Sequence, residues 1–451
     1  MRRVSVLVLS LTLAGCGALN SHYTPPAVTT AQSWAEGGQG TAVVAPDWWK
    51  AFDDPTLDAL VAEALKRNND LAVAAIRVSQ ARARAGLARD AERPQLGASA
   101  DASTSRTLSS PRETGRSASV TGSVSWEIDL WNKLGSATDA ATFEAAATEE
   151  DRQAAALSLV GTVAELYWTI AYLNERVALS EQSIAYAERT LSLIESQVQA
   201  GGASELERAE ARRSLEVQRA SHFSLVQQRI ENRNALAVLF DGPPESVKPE
   251  RLSLPVAAPP EVAAGLPAAL LARRPDLRAA ELRLRSSLAT VDETRLSYYP
   301  GFNLTGTLGS SSDALIEVLR NPIATLGIGL TLPFLQWNQM ELDIAVARGD
   351  YEAAVIDFRQ TLYEALSDVE NTLAARRNDT GEVAARIRAL DAARQAETIY
   401  ETRYRAGAVA LQSWLDAQEN RRSAEASLSE SRLNLLLDHI ALCQALGGNP
   451  G

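Results

Sequence analysis

Hydrophobic and polar residues alternate with a period of two in four places along the chain. Val120, Gly122, Val124, Trp126, Ile128 and Leu130 interleave with Thr121, Ser123, Ser125, Glu127 and Asp129. Leu326, Ile328, Leu330, Leu332 and Phe334 interleave with Thr325, Gly327, Gly329, Thr331 and Pro333. Phe302, Leu304, Gly306 and Leu308 alternate with Asn303, Thr305, Thr307 and Gly309, and Leu96, Ala98, Ala100 and Ala102 form a weaker version. This period predicts strands with one apolar and one polar face. Loops at 109–116 and 311–320 would close two β-hairpins, over 95–130 and 301–336.

Elsewhere the period lengthens to that of a helix. Leu159, Val163, Leu166, Ile170, Leu173, Val177, Ser180, Ile184, Ala187, Leu191, Ile194 and Val198 keep 4-3 spacing, a heptad seam that implies left-handed supercoiling. A second stripe, Ala164, Ala171, Ala178 and Ala185, lies beside it and suits contact with helices on both sides. The segment from about 135 to 200 contains no proline and would reach roughly 100 Å as one helix. Gly201-Gly202 ends it, and Ser204 with Glu207 predicts a capping box for a helix running to about 240. Helices are likewise expected over about 339–405 and 410–446, with a turn at Ala406-Gly407. Asn378-Asp379-Thr380-Gly381 predicts an interruption of the first of these. Shorter helices are expected at about 56–92 and 267–298.

The plan is written twice, at an offset of 206 residues, the spacing from Asp70 to Asp276. Arg77, Ala83, Arg89 and Pro94 match Arg283, Ala289, Arg295 and Pro300. Trp131-Asn132 matches Trp337-Asn338, and Ala200-Gly201 matches Ala406-Gly407. Repeat one therefore covers 47–242 and repeat two 261–448, joined by a proline-rich connector at 243–260.

Four strands cannot close a membrane barrel, which takes about eight or more. An open edge in lipid would leave backbone groups unsatisfied. If these strands span a membrane, several chains must share one barrel. A half-buried soluble sheet and an isolated antiparallel coiled coil are the readings that compete.

The N-terminus favours the membrane. Arg2 and Arg3 precede an apolar run, Val4 to Ala14, too short to span, and Leu13-Ala14-Gly15-Cys16 follows. This predicts a signal peptide over 1–15, Cys16 as a lipidated N-terminus and a tether over 16–46. An ordinary signal peptide with a chance cysteine is the alternative. No Asp follows Cys16, so the usual inner-membrane retention signal is missing.

Composition mainly excludes. A length of 451 residues suggests three globular domains, which the duplicated pattern contradicts. Mean hydropathy is −0.13, against a bundle of membrane helices. The net charge of −12 disfavours nucleic acid. Two cysteines and three scattered histidines supply neither a disulfide scaffold nor a metal site. Cys443 reads as a buried small hydrophobe. No catalytic constellation is visible, and neither an enzyme nor a cofactor is expected.

The motifs resemble those of the outer-membrane factor family, the TolC-like export ducts, in its lipoprotein branch. Leu266-Pro267, Leu270-Leu271 and Arg273-Arg274-Pro275-Asp276-Leu277 carry the likeness most specifically. Trp48-Trp49 with Phe52 and Asp54-Pro55, Tyr299-Pro300, Tyr404 to Gly407, and Leu415-Asp416-Ala417-Gln418 add to it. Asn132 and Asn338 depart from it, standing where the family has glycine. The resemblance implies a homotrimer, mainly α with membrane β. Four strands per chain would enter a shared 12-stranded barrel continuing into a periplasmic α-helical barrel. It implies a periplasmic adaptor and an RND-type inner-membrane transporter as partners. Export of drugs or small molecules is the expected task, with type I protein secretion and a lipid-anchored coiled-coil scaffold as alternatives.

Such a duct closes at its periplasmic tip, marked by Gly201, Gly202, Ala406 and Gly407, which would face the adaptor. Asp416 and its repeat equivalent Glu210 are candidates for an acidic constriction. Arg403 and Tyr404 are candidate latches, and Gln412 stands where relatives carry an apolar residue. Glu127 and Asp129 are candidate lining of the barrel mouth or ordinary wall residues.

Overall fold

The computed structural model describes residues 19–29, 31, 33–35, 44–111, 114–244, 248–262, 264–265, 267–313 and 322–448. The expected signal peptide and lipidation at Cys16 lie outside the described residues. The chain forms two compact units. The first holds residues up to 28 with 75–150 and 278–361; the second holds 29–74, 151–277 and 362–451. Each unit draws on both repeats.

In the first unit, β1 (Gln95–Arg106), β2 (Thr114–Ile128), β3 (Gly301–Ser312) and β4 (Pro322–Thr331) form an antiparallel sheet in chain order. The register keeps the two faces apart across all four strands. Val124 pairs with Leu96 and Gly306, and Gly306 with Leu326. Trp126, Leu304 and Ile328 form the next apolar row, and Ile128, Phe302 and Leu330 the next. On the opposite face Glu127, Asn303 and Gly329 pair, as do Ser123, Thr307 and Thr325. A slip of one residue would invert this sorting. Leu96, Leu326 and Ile328 are 84%, 79% and 71% exposed on the single chain. The edges β1 and β4 have no strand beyond them among the described residues.

Sheet and helix are joined by capping. Asp129 accepts bonds from Lys133 N (2.7 Å) and Gly135 N (2.9 Å), and Glu127 pairs with Lys133 Nζ at 2.5 Å. Asp129 is thus the cap of the following helix, and Glu127 is bound in an ion pair. Asn132 has φ +67°, the left-handed region open to glycine and tolerated by asparagine. Asn132 thus holds a backbone conformation that glycine would also adopt. Asn338 does not repeat it, because it lies inside a helix.

Eight α-helices among the described residues complete the repeat plan. The expected helix at 56–92 is two, α1 (Pro55–Arg67) and α2 (Asn69–Asp90), broken at Asn68. Asn68 accepts from Leu71 N (3.0 Å) and donates to Leu239 O (3.1 Å), so its side chain caps one helix and ties the break down. The long helices are α3 (Lys133–Gln199) and α4 (Glu205–Val238). The short α5 (Leu270–Arg273) and α6 (Pro275–Leu296) replace the single helix expected at 267–298. They are followed by α7 (Trp337–Arg405) and α8 (Leu411–Ala445). The interruption expected at 378–381 does not occur. Thr380 returns its hydroxyl to Arg376 O (2.7 Å), and one glycine costs a helix only about 1 kcal/mol.

The heptad seam of α3 is the core of the second unit: Leu159, Val163, Ile170, Leu173, Val177, Ala187 and Ile194 are buried. The alanine stripe is buried at Ala164 and Ala171 and leaves the core by Ala178. The most apolar stretch of α3 would pass for a membrane span by length and composition, but 61% of it is buried inside the chain, as in a core helix. Trp48, Trp49, Tyr167, Trp168 and Phe240 share one hydrophobic cluster of this unit. Asp54 caps α1 there, accepting from Tyr167 Oη (2.9 Å) and Arg251 Nη1 (3.0 Å). Burial opposes its charge, but these bonds and two backbone amides hold its carboxyl below the usual range. Arg274 of the Arg-Arg-Pro-Asp motif joins Asp276 (2.7 Å), Asp368 (3.4 Å) and Ala445 O (3.4 Å). Both motifs are structural staples of this unit.

Candidate functional site

The two turns expected to form the tip, where α3 turns into α4 and α7 into α8, lie within the second unit. The turns obey the 206-residue repeat down to single bonds. Gly201 N bonds Val198 O (3.0 Å) and Gly202 N bonds Gln197 O (2.8 Å). Gly407 N bonds Tyr404 O and Ala408 N bonds Arg403 O, both at 2.9 Å. These are Schellman closures, in which the residue after the cap is left-handed. Gly201 and Gly407 have φ +73° and +71° with nothing within 4 Å of an added Cβ, so conformation rather than crowding selects glycine. Beyond the first turn, Ser204 N donates to Glu207 Oε2 (2.7 Å) and Glu207 N to Ser204 Oγ (3.4 Å), completing the capping box. Ala410 starts α8 without a side-chain cap.

An aromatic clasp closes the tip core. The Tyr404 ring stacks on Trp414 at 5.3 Å and 25°, and its hydroxyl donates to Gln197 Oε1 at 2.7 Å. Trp414, Ile194, Ala211, Leu411 and Leu415 form the buried cluster beneath. Tyr404 therefore latches α7 to α3 and α8 within one chain. Burial raises its pKa, and Glu207 adds to this.

The candidate charges separate by exposure. In Leu415-Asp416-Ala417-Gln418 only Asp416 is exposed; the other three are buried. Gln412, one turn earlier, donates Nε2 to Asp416 Oδ1 at 2.6 Å, so its polar side chain steadies the carboxylate. Glu210 is half-buried. Arg403 is exposed and makes no ion pair among the described residues, whereas Arg405 pairs with Glu401 at 2.6 Å.

Sequence reasoning missed a charged layer further up the same helices. Arg421 of α8 pairs with Glu397 of α7 and with Glu425 (2.5 Å), and Arg394 reaches Glu425 at 3.1 Å. Glu397 is only 8% exposed. Burial lowers the Arg421 pKa, but Glu425 and Glu397 more than offset this and hold it above its ordinary value. Burial, with Glu397 adding to it, pushes Tyr186 up to about 12. The i,i+4 pair Arg421–Glu425 was a readable signal; that Glu397 faces it from α7 was not. Among the described residues no group of three or more His, Cys, Asp or Glu side chains is placed to hold a metal.

The turns, the paired long helices and the two-faced sheet all follow one duplicated plan. The sequence profile described as "Outer membrane efflux protein" matches residues 60–240 and again 266–448. The chain belongs to the outer membrane efflux protein family. OpmQ of Pseudomonas putida, a pyoverdine export outer membrane protein, is 33% identical, the match covering 99% of this chain and 97% of OpmQ. TtgC of Pseudomonas putida, described as a probable efflux pump outer membrane protein, is 28% identical over 99% of this chain and 95% of its own. Among solved structures, the open state of the Neisseria gonorrhoeae MtrE outer membrane channel superposes with a TM-score of 0.85 at 28% identity, covering 96% and 98% of the two chains. This efflux protein is an outer-membrane channel, not an enzyme.

Proposed function

We propose that three copies of this efflux protein form the exit duct of a tripartite system. They pass drugs or other small molecules from an RND-type inner-membrane transporter and a periplasmic adaptor to the exterior. The sheet carries this reading. It has one apolar face, one polar face and two open edges. In lipid those edges must pair, and pairing β4 of one copy with β1 of the next satisfies them. Three copies give 12 strands around a polar lumen. Trp126, Trp131, Tyr299, Phe334 and Trp337 gather at the strand ends nearest the helices, as an interfacial aromatic belt does. Lipid on Cys16 adds an anchor, since several acyl chains hold where one barely binds.

At the tip, Asp416 of each copy supplies a ring of carboxylates that favours cations, with its repeat equivalent Glu210 adding negative charge and Arg403 as cationic counterpart. Gly201, Gly202, Ala406 and Gly407 present the tip to the adaptor. Crosslinking of the detergent-extracted protein tests the assembly: the ladder stops at three chains, and a ladder stopping at one or two overturns the duct. In planar bilayers Asp416→Ala with Arg403→Ala raises single-channel conductance. Unchanged conductance and open probability would remove the gate from this position.

A further inference from the structure

The segment expected to be a loose tether is bound. Four charged residues of α6, Glu281, Arg285, Asp292 and Arg295, recur at spacings of 4, 7 and 3, which puts them on one face of the helix. Residues 19–23 lie along that face. Asp292, 4% exposed, accepts from Ser21 N through Oδ2 (2.7 Å) and from Ser21 Oγ through Oδ1 (2.7 Å). Arg295 Nη2 donates to Asp292 Oδ1 (2.9 Å) and to Leu19 O. Further along, Tyr23 Oη donates to Glu281 Oε1 (3.4 Å), and the Arg285 guanidinium lies 4.7 Å above the Tyr23 ring while bonding Glu281 (2.6 Å). Leu19 sits at the end of α6 and Tyr23 nearer its start, so the segment runs antiparallel to the helix. Ser21 satisfies both oxygens of a buried carboxylate, so the docking is specific in register.

We propose that this face of α6 is a receptor for the chain's own N-terminal segment and serves as a ruler for the lipid anchor. The proposal rests on the lipidation of Cys16. Leu19 is three residue steps from Cys16, a span of at most about 11 Å when extended. A lipid on Cys16 is therefore confined to the end of α6, next to the start of β3 at Gly301. At that junction the Tyr299 ring packs 5.4 Å from Trp131, whose Nε1 donates to Pro300 O (2.8 Å). The ruler brings the acyl chains to the strand ends that carry the aromatic belt, so that anchor and barrel enter the same leaflet. A free tether over 16–46 would set no such limit.

Limited chymotrypsin digestion of the full protein in outer-membrane fragments tests this, with cleavage after Tyr23 followed by mass spectrometry. The wild type resists. Asp292→Asn and Arg285→Ala are cut at least tenfold faster. Ser21→Pro, which removes both bonds to Asp292 without touching a helix, gives the same result and guards against misfolding of α6. Equal cleavage of wild type and all three variants overturns the receptor. The released peptide reports separately on the anchor. Acyl mass on residue 16 supports the ruler. A peptide without it overturns the ruler and the lipid reading, while protection of Tyr23 in the wild type still upholds the docking.

Discussion

Arg421→Met isolates the buried charged layer between α7 and α8. The substitution keeps the stem that packs in the helix interface and removes the guanidinium that neutralises Glu397. Glu397 is 8% exposed, so its carboxylate is then left desolvated without its cation. Breaking one side of a buried pair costs about 3–5 kcal/mol. Glu425 loses less, because Arg394 still reaches it at 3.1 Å. The double variant Arg421→Met with Glu397→Met removes the charge imbalance and is expected within about 1 kcal/mol of wild type, since apolar replacements of such pairs are close to neutral. Hydrogen exchange read by mass spectrometry over 390–405 and 411–425 follows the local opening free energy. Exchange should accelerate strongly in the single variant and return towards wild type in the double. A single variant no worse than the double would refute the claim that Arg421 neutralises a buried Glu397 carboxylate.

Three further outcomes follow from the same geometry. Tyr404→Phe keeps the stack on Trp414 but loses the bond to Gln197, and should cost about 0.5–1.5 kcal/mol, seen as faster exchange at 195–200. Asn132→Val forces a β-branched residue to φ +67° and should lower stability by about 1–2 kcal/mol in urea melts, whereas Asn132→Gly should be tolerated. Burial and the neighbouring Asp379 push the Asp438 carboxyl up to about 6. The native state therefore binds more protons than the unfolded chain between about pH 4 and 6, and stability falls across that window as pH rises. The full shift corresponds to about 3 kcal/mol, reduced to about 1 by the group's solvent access; Asp438→Asn should flatten the profile.

Repetition at short range made much of this fold readable. The strands follow from alternation alone, because a residue two positions on returns to the same face. Pairing of Val124, Gly306 and Leu326 then required only that apolar rows align. The turns at Gly201 and Gly407 were readable because a left-handed cap selects glycine. Local reading failed where tertiary contacts decide. Asn378 to Gly381 carries turn residues, yet α7 runs through it. Asn68 splits a helix through a bond to Leu239, which lies 171 residues away. Residues 17–46 have the composition of a linker, but Ser21 meets Asp292 at a separation of 271 residues, which no local pattern encodes. At the expected tip, Asp416 and Tyr404 were singled out by the family resemblance and by their place beside a turn. Their partners Gln412 and Gln197 were not singled out as partners, because amides pair with almost anything.

Single-channel recording of the purified, crosslinked protein in planar lipid bilayers tests the central claim most directly. A shared barrel predicts that the three-chain species inserts and conducts in steps of uniform size, with a preference for cations that weakens in Asp416→Ala. A monomer that carries no current, or a three-chain species that binds bilayers without conducting, would contradict it.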